Sequence, residues 1–196
     1  MVNIYSKYSK KKFDLMNLIS TTLSGLVIIE PTVFNDLRGF FVELYNKRQF
    51  NELIGSEITF KQDNQSHSIK NVLRGLHYQV CRPQAKLVSV SSGVVLNVTV
   101  DIRKSSQTFG QHITLELSAD NKRMLWIPEG FAHGFVVRSD IAELLYKTTD
   151  YWHPEYERCI RWDDPTLAID WQLQTEPILS NKDAHGKTFT EAELFD

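Results

Sequence analysis

Over residues 60–79 the chain reads FKQDNQSHSIKNVLRGLHYQ, a dense run of polar groups. Gln62, Asp63 and Asn64 stand together at the end of a β-like run, and Arg74 and His77 bracket Gly75 and Leu76. An imidazole ordinarily titrates at about 6.5, so His77 is a candidate proton acceptor near neutral pH, with the cation of Arg74 close by in sequence. Residues three apart point to opposite faces of a regular strand. If both serve one site, Gly75 must allow a bulge or a bend. The competing reading gives Arg74 a surface ion pair and packs His77 quietly in the interior, and spacing alone favours it.

Three further groups carry chemistry within reach. Lys86, in QAKLV, is either a solvated charge at a strand start or a cation for a phosphate or an enolate oxygen. His133, in WIPEGFAHGF, sits in an apolar stretch between glycines, where a buried, hydrogen-bonded structural histidine is the plain alternative. Tyr146, in AELLYKTTD, lies among leucines, and a tyrosine so placed more often fills a core than donates a proton. A metal centre is not expected. His77, His112, His133, His153 and His185 are dispersed along the chain, and His67 stands in no diagnostic relation to His77. Neither a Walker-type phosphate loop nor G-x-G-x-x-G occurs, and G-x-S-x-G is absent as well.

Short strands must position these groups. LVIIEP (26–31), GFFVELY (39–45) and KLVSVSS (86–92) are rich in branched and aromatic residues. The clearest strand is GVVLNVTVDIR, in which Val94, Leu96, Val98, Val100 and Ile102 alternate with Val95, Asn97, Thr99, Asp101 and Arg103. HITLEL, RMLWIP, HGFVVRS and AELLYKTTD add further candidates, separated by the turn-like NDLRG, SADNK and PEG. One short helix is expected over Lys47–Ile54, ended by Gly55, and another near the C-terminus. The pattern predicts an all-β jelly-roll barrel or sandwich with a few short helices and a polar cavity between its sheets. Residues 1–15, polar and lysine-rich, are expected to be a loose tail, and 16–196 a single domain.

Composition narrows the partners. A net charge of −2 offers no basic excess for a nucleic-acid backbone. No apolar run reaches membrane-spanning length, and the N-terminal lysines precede no apolar stretch of a secretion signal. Cys81 and Cys159 are far apart, without metal-like spacing, and nothing suggests export, so a reducing cytoplasm is expected.

Taken together, NDLRGFFVELYN, FKQDNQSHS, NVLRGLHYQ, QAKLV, VDIRKSSQTFG, LWIPEGFAHGF, LLYKTTDYW, IRWDDPTLAIDW and LSNKD resemble the dTDP-4-dehydrorhamnose 3,5-epimerase family in order and spacing over residues 16–183. The resemblance implies a cupin-type jelly roll that uses no metal and no cofactor, and a homodimer in which an N-terminal strand joins the partner's sheet. It implies His77 as base, Tyr146 as acid and Asp183 as the carboxylate that orients the base. Arg38, Glu43, Gln62, Asp63, Asn64, Arg74, Lys86, His133, Glu157 and Lys182 match substrate-binding positions. The implied substrate is a dTDP-linked 4-keto-6-deoxy sugar, inverted at C3 and C5 in a dTDP-rhamnose type of pathway.

The residue types suit that reaction. A hydrogen beside a ketone is acidic because its removal gives an enolate, and C3 and C5 of a 4-keto sugar both qualify. Histidine can take that proton. A cation such as Lys86 can steady the charge on O4. A tyrosine, with an ordinary pKa of about 10, can return a proton from the opposite face. Two residues depart from the family pattern: Asn97 stands where an Asp is usual, next to His133, and Trp152 where a second Tyr is common. Two other readings share the cavity: a single-centre 3- or 5-epimerase, and a sugar-nucleotide-binding jelly roll without catalysis. The second needs no paired base and acid.

Overall fold

The computed structural model describes residues 15–196. The loose tail expected over 1–15 lies outside the described residues except for Leu15.

Thirteen strands and two short α-helices make up the described chain. A six-stranded antiparallel sheet runs in the order β1 (Met16–Ser20), β2 (Val27–Pro31), β10 (Met124–Ile127), β7 (Lys86–Ser92), β12 (Ile141–Thr148), β5 (Gln62–Ile69). A five-stranded sheet runs β13 (Glu157–Cys159), β6 (Leu73–Gln79), β11 (Phe131–Val137), β8 (Val94–Asp101), β9 (His112–Ser118). Between them pack Val88, Val90, Leu125 and Leu144 from one sheet and Val95, Leu117, Phe135 and Val137 from the other. This is the expected jelly roll.

Each sheet is also covered outside. On the six-stranded sheet lies helix α1 (Lys47–Ile54), whose Phe50 is fully buried against Trp126 and Leu87. Its ends follow the chemistry of the sequence. The Asn46 side chain accepts from the Gln49 N–H at 3.3 Å, and Gly55, at φ +76°, closes the last turn. Over the five-stranded sheet runs the C-terminal arm, from Ile160 through Leu167 and Trp171 to Phe189, burying Leu73, Leu76, Leu96, Val98 and Val100. Both faces of β8 are therefore enclosed. Its apolar row meets the arm, and the row Val95, Asn97, Thr99, Asp101 faces the barrel interior, where all four are buried.

The remaining hairpin, β3 (Val33–Asp36) and β4 (Gly39–Val42), forms its own two-stranded sheet. Phe34, Leu37, Phe40 and Phe41 stand exposed on it, Leu37 completely so. Two placements differ from the sequence expectation. Gln62, Asp63 and Asn64 open β5 instead of closing a strand, and the run GFFVELY is extended only as far as Val42.

Candidate active site

The interior opens into a cavity of about 340 Å³ between the two sheets. Strand alternation decides who reaches it. On β5 Gln62, Asn64 and Ser66 point inward, while Asp63, Gln65 and His67 point out. On β12 Leu144, Tyr146 and Thr148 line the cavity. Strand β6 solves the spacing of Arg74 and His77 with a bulge. Leu73 and Leu76 pack against the arm outside, Arg74 and His77 both face the cavity, and one extra residue, Gly75, is absorbed between them. The β6–β11 register shifts at this point, between His133 and Phe135. Gly75 has φ +137°, and a Cβ there would meet Gly134 Cα at 2.5 Å, so only glycine fits.

His77 Nε2 lies 2.5 Å from Asp183 Oδ1. Asp183 is buried on helix α2 (Asn181–Ala184), which the arm carries to β6. Burial alone would raise its carboxyl pKa. The hydrogen bonds from His77, from Ser180 Oγ at 2.6 Å and from the Gly75 N–H at 3.1 Å outweigh burial and hold it at about 2. An ionised Asp183 fixes the proton of His77 on Nε2 and leaves Nδ1 as the basic nitrogen.

The other titratable groups sort by depth. Lys86 is pushed down to about 8 by desolvation and by the Lys182 charge, against the pull of Glu157. His133 is held well below its usual range by burial and then by the charges of Lys86 and His77, so its ring is neutral. Its Nε2 meets Asn97 Oδ1 at 2.5 Å, and Asn97 binds Thr99 Oγ1 at 3.2 Å. A neutral amide therefore stands behind His133. Tyr146 is raised by burial and by Glu157, with Arg74 opposing, so its hydroxyl keeps its proton. At the rim Glu157 and Lys182 pair at 2.8 Å, and Trp152 stands half-exposed, its backbone N–H donating to Gln62 Oε1.

Of the thirteen residues proposed from sequence, ten come together here: His77, Tyr146, Asp183, Gln62, Asn64, Arg74, Lys86, His133, Glu157 and Lys182. Three do not. Asp63 lies on the outer face of β5, bound to Lys147 at 2.8 Å, because a neighbour of two inward residues must point out. Arg38 sits at the hairpin tip, paired with Asp36 at 2.5 Å, and Glu43 follows that hairpin away from the cavity. Sequence reasoning missed Ser66, Gln84, Phe135, Leu144 and Thr148 in the lining. Alternation in QDNQSHS was the available signal for Ser66. The spread of histidines along the sequence also concealed one convergence: Cys159 lies opposite His77 in the β13–β6 ladder. Its sulfur and the ligand-type atoms of His77 and Asp183 all lie within 4.8 Å of one another. Burial, then the Asp183 charge, pushes the Cys159 thiol up to about 12.

The family model for dTDP-4-dehydrorhamnose 3,5-epimerase matches residues 20–191. The chain belongs to this family. It is 54% identical over 180 residues to the dTDP-4-dehydrorhamnose 3,5-epimerase of Pseudomonas aeruginosa, covering 92% of this chain and 99% of that one. Its fold superposes with a TM-score of 0.89 on the dTDP-6-deoxy-D-glucose-3,5-epimerase of Legionella pneumophila in complex with dTDP-4-keto-L-rhamnose. That pair is 52% identical, with coverage of 91% and 95%. A 3'-monoepimerase from Streptomyces bikiniensis, in complex with dTDP-quinovose, is more distant at 29% identity and a TM-score of 0.83, with coverage of 87% and 86%.

Proposed function

We propose that the chain epimerises C3 and C5 of a dTDP-linked 4-keto-6-deoxy sugar. The observation that carries this reading is the placement of base and acid on facing walls: His77 belongs to the five-stranded sheet and Tyr146 to the six-stranded one, across a shared cavity. Inversion requires a proton to leave one face of a carbon and arrive on the other. A binding module has no use for that opposition.

In this mechanism Nδ1 of His77 removes the proton beside the ketone, and Asp183 stabilises the imidazolium that forms. Negative charge collects on the sugar O4, where the Lys86 ammonium neutralises it. Tyr146 then protonates the carbon from the opposite wall. His77 releases its proton, Tyr146 regains one, and the ring presents its second carbon. Arg74 and Lys182 supply cationic contacts for the diphosphate, and Trp152 an aromatic surface at the mouth. No step passes through a cofactor. The cytoplasm, where thiols stay reduced, is the compartment we assign, in keeping with the unpaired Cys81 and Cys159. Among the described residues, no helix is long and apolar enough to cross a membrane.

We further propose a homodimer with an N-terminal strand added to the partner's sheet. The exposed aromatic hairpin supports it, since a soluble monomer seldom displays Phe34, Leu37, Phe40 and Phe41 together. In such a dimer Arg38 and Glu43 reach the partner's cavity.

Two inverted centres are favoured over one because the relatives named 3,5-epimerases are 54% and 52% identical to this chain, whereas the 3'-monoepimerase is 29% identical. The test is incubation with dTDP-4-keto-6-deoxyglucose in deuterated water. Deuterium is expected at both C3 and C5, at one sooner than the other. Label confined to one carbon after long incubation would leave a single-centre epimerase, and restoration of the second label by Trp152→Tyr would identify Trp152 as the obstacle.

A further inference from the structure

We propose that His77, Cys159 and Asp183 form an inhibitory site for a thiophilic divalent cation, with Zn2+ as its representative. An imidazole nitrogen, a thiol sulfur and a carboxylate oxygen converge within 4.8 Å, each from a different element: β6, β13 and α2. That donor set is one zinc accepts, at about 2.0–2.3 Å from each ligand, which places tetrahedral ligands roughly 3.3–3.6 Å apart. Donors within 4.8 Å of one another stand on the order of an ångström from such spacing. Chiefly, His77 and Asp183 must open from their 2.5 Å contact as the metal takes the place of the shared proton, which moves to His77 Nδ1 and leaves the ring neutral.

Charge also balances. On binding, Cys159 gives its proton to solvent and becomes a thiolate, so thiolate and carboxylate together offset the two charges of the ion. The nearby Lys182 cation opposes entry, but it is paired with Glu157 at 2.8 Å. His77 lines the cavity and remains partly exposed, which gives an ion a route to the cluster. A cation on Nε2 keeps the ring's proton on Nδ1, the nitrogen that would accept the substrate proton, and engages the orienting carboxylate at the same time. Turnover stops without any change in fold. The inhibition rests on the proposed role of His77 as base, whereas the binding does not.

The experiment pairs two readouts on the full chain. Zn2+ is titrated against epimerase turnover, with reversal by a chelator. Co2+ is titrated against the wild type and followed by absorption, where a thiolate ligand gives an intense near-ultraviolet charge-transfer band. Loss of an outer partner alone weakens metal sites about 10- to 100-fold, so Cys159→Ser should raise the half-inhibitory zinc concentration at least about tenfold. It should keep basal turnover and abolish the cobalt band. Cys81→Ser, on an exposed cysteine, should behave as wild type. Should Cys159→Ser fold poorly, Cys159→Ala provides the same comparison. Equal zinc sensitivity with and without the Cys159 sulfur, or cobalt bound without a thiolate band, would overturn the site. A cobalt–thiolate band in an enzyme that zinc leaves fully active would overturn the inhibitory role and the base assignment, while the metal site itself would stand.

Discussion

Removing the imidazole at position 77 takes away the proposed base and leaves the barrel, since His77 lines the cavity and not the core. His77→Ala is therefore expected to fold normally, by circular dichroism, and to lose deuterium exchange at the sugar carbons altogether; a folded variant with wild-type exchange would refute the base. Tyr146→Phe should separate two processes. The enolate still forms and is reprotonated from the side it left, so net epimerisation falls by more than about tenfold while exchange persists. Equal loss of both would make Tyr146 a positioning residue. Lys86 sets a pH limit. Its cation is lost as pH rises through about 8, so kcat/KM should fall above that value. Lys86→Arg, always charged, should move this limb upward at a lower rate. The same residues show what a sequence conceals. His77 and Asp183 stand far apart in the chain yet touch at 2.5 Å, and neither periodicity nor spacing could join them. Only the family resemblance named Asp183, and no pattern at all flagged Cys159.

Strands were legible where one face is apolar. β7, β8, β11 and β12 alternate or run hydrophobic, and the end of helix α1 was marked by Gly55. β5 was not, because its inward row, Gln62, Asn64, Ser66, Ser68, faces a polar cavity and its outward row faces solvent, which leaves no hydrophobic period to read. β6 hid differently: its bulge breaks the period of two, and Gly75 alone hinted at it. That bulge is testable. Gly75→Ala pushes a methyl into Gly134, so a loss of about 1–3 kcal/mol in stability is expected. The displacement of His77 should cost about 100-fold in kcat/KM, as active-site misplacements of about 1 Å do. Thermal melts and steady-state rates would measure the two, and a fully active, stable variant would show that Arg74 and His77 do not depend on the extra residue.

At the scale of the molecule, the hairpin makes a claim about assembly. Leu37→Asp or Phe41→Asp should turn a dimer into a monomer of strongly reduced activity, because the partner's Arg38 and Glu43 no longer arrive. Light scattering with an activity assay would decide, and a wild-type monomer with full activity would remove the proposal. Jelly-roll architecture was legible from the count and spacing of strands, whereas the outer coverings were not, since irregular segments such as the arm carry no period. That arm has a temporal meaning. The ribosome delivers β6 long before α2, so both sheets can be complete while His77 still has no carboxylate beside it. On the proposed mechanism, catalytic competence is thus withheld until α2 has been made. A chain released before Ser180 retains every strand of both sheets but lacks Lys182 at the cavity rim and leaves the imidazole without its fixed tautomer. Recovery of turnover during refolding should accordingly lag behind burial of the barrel core.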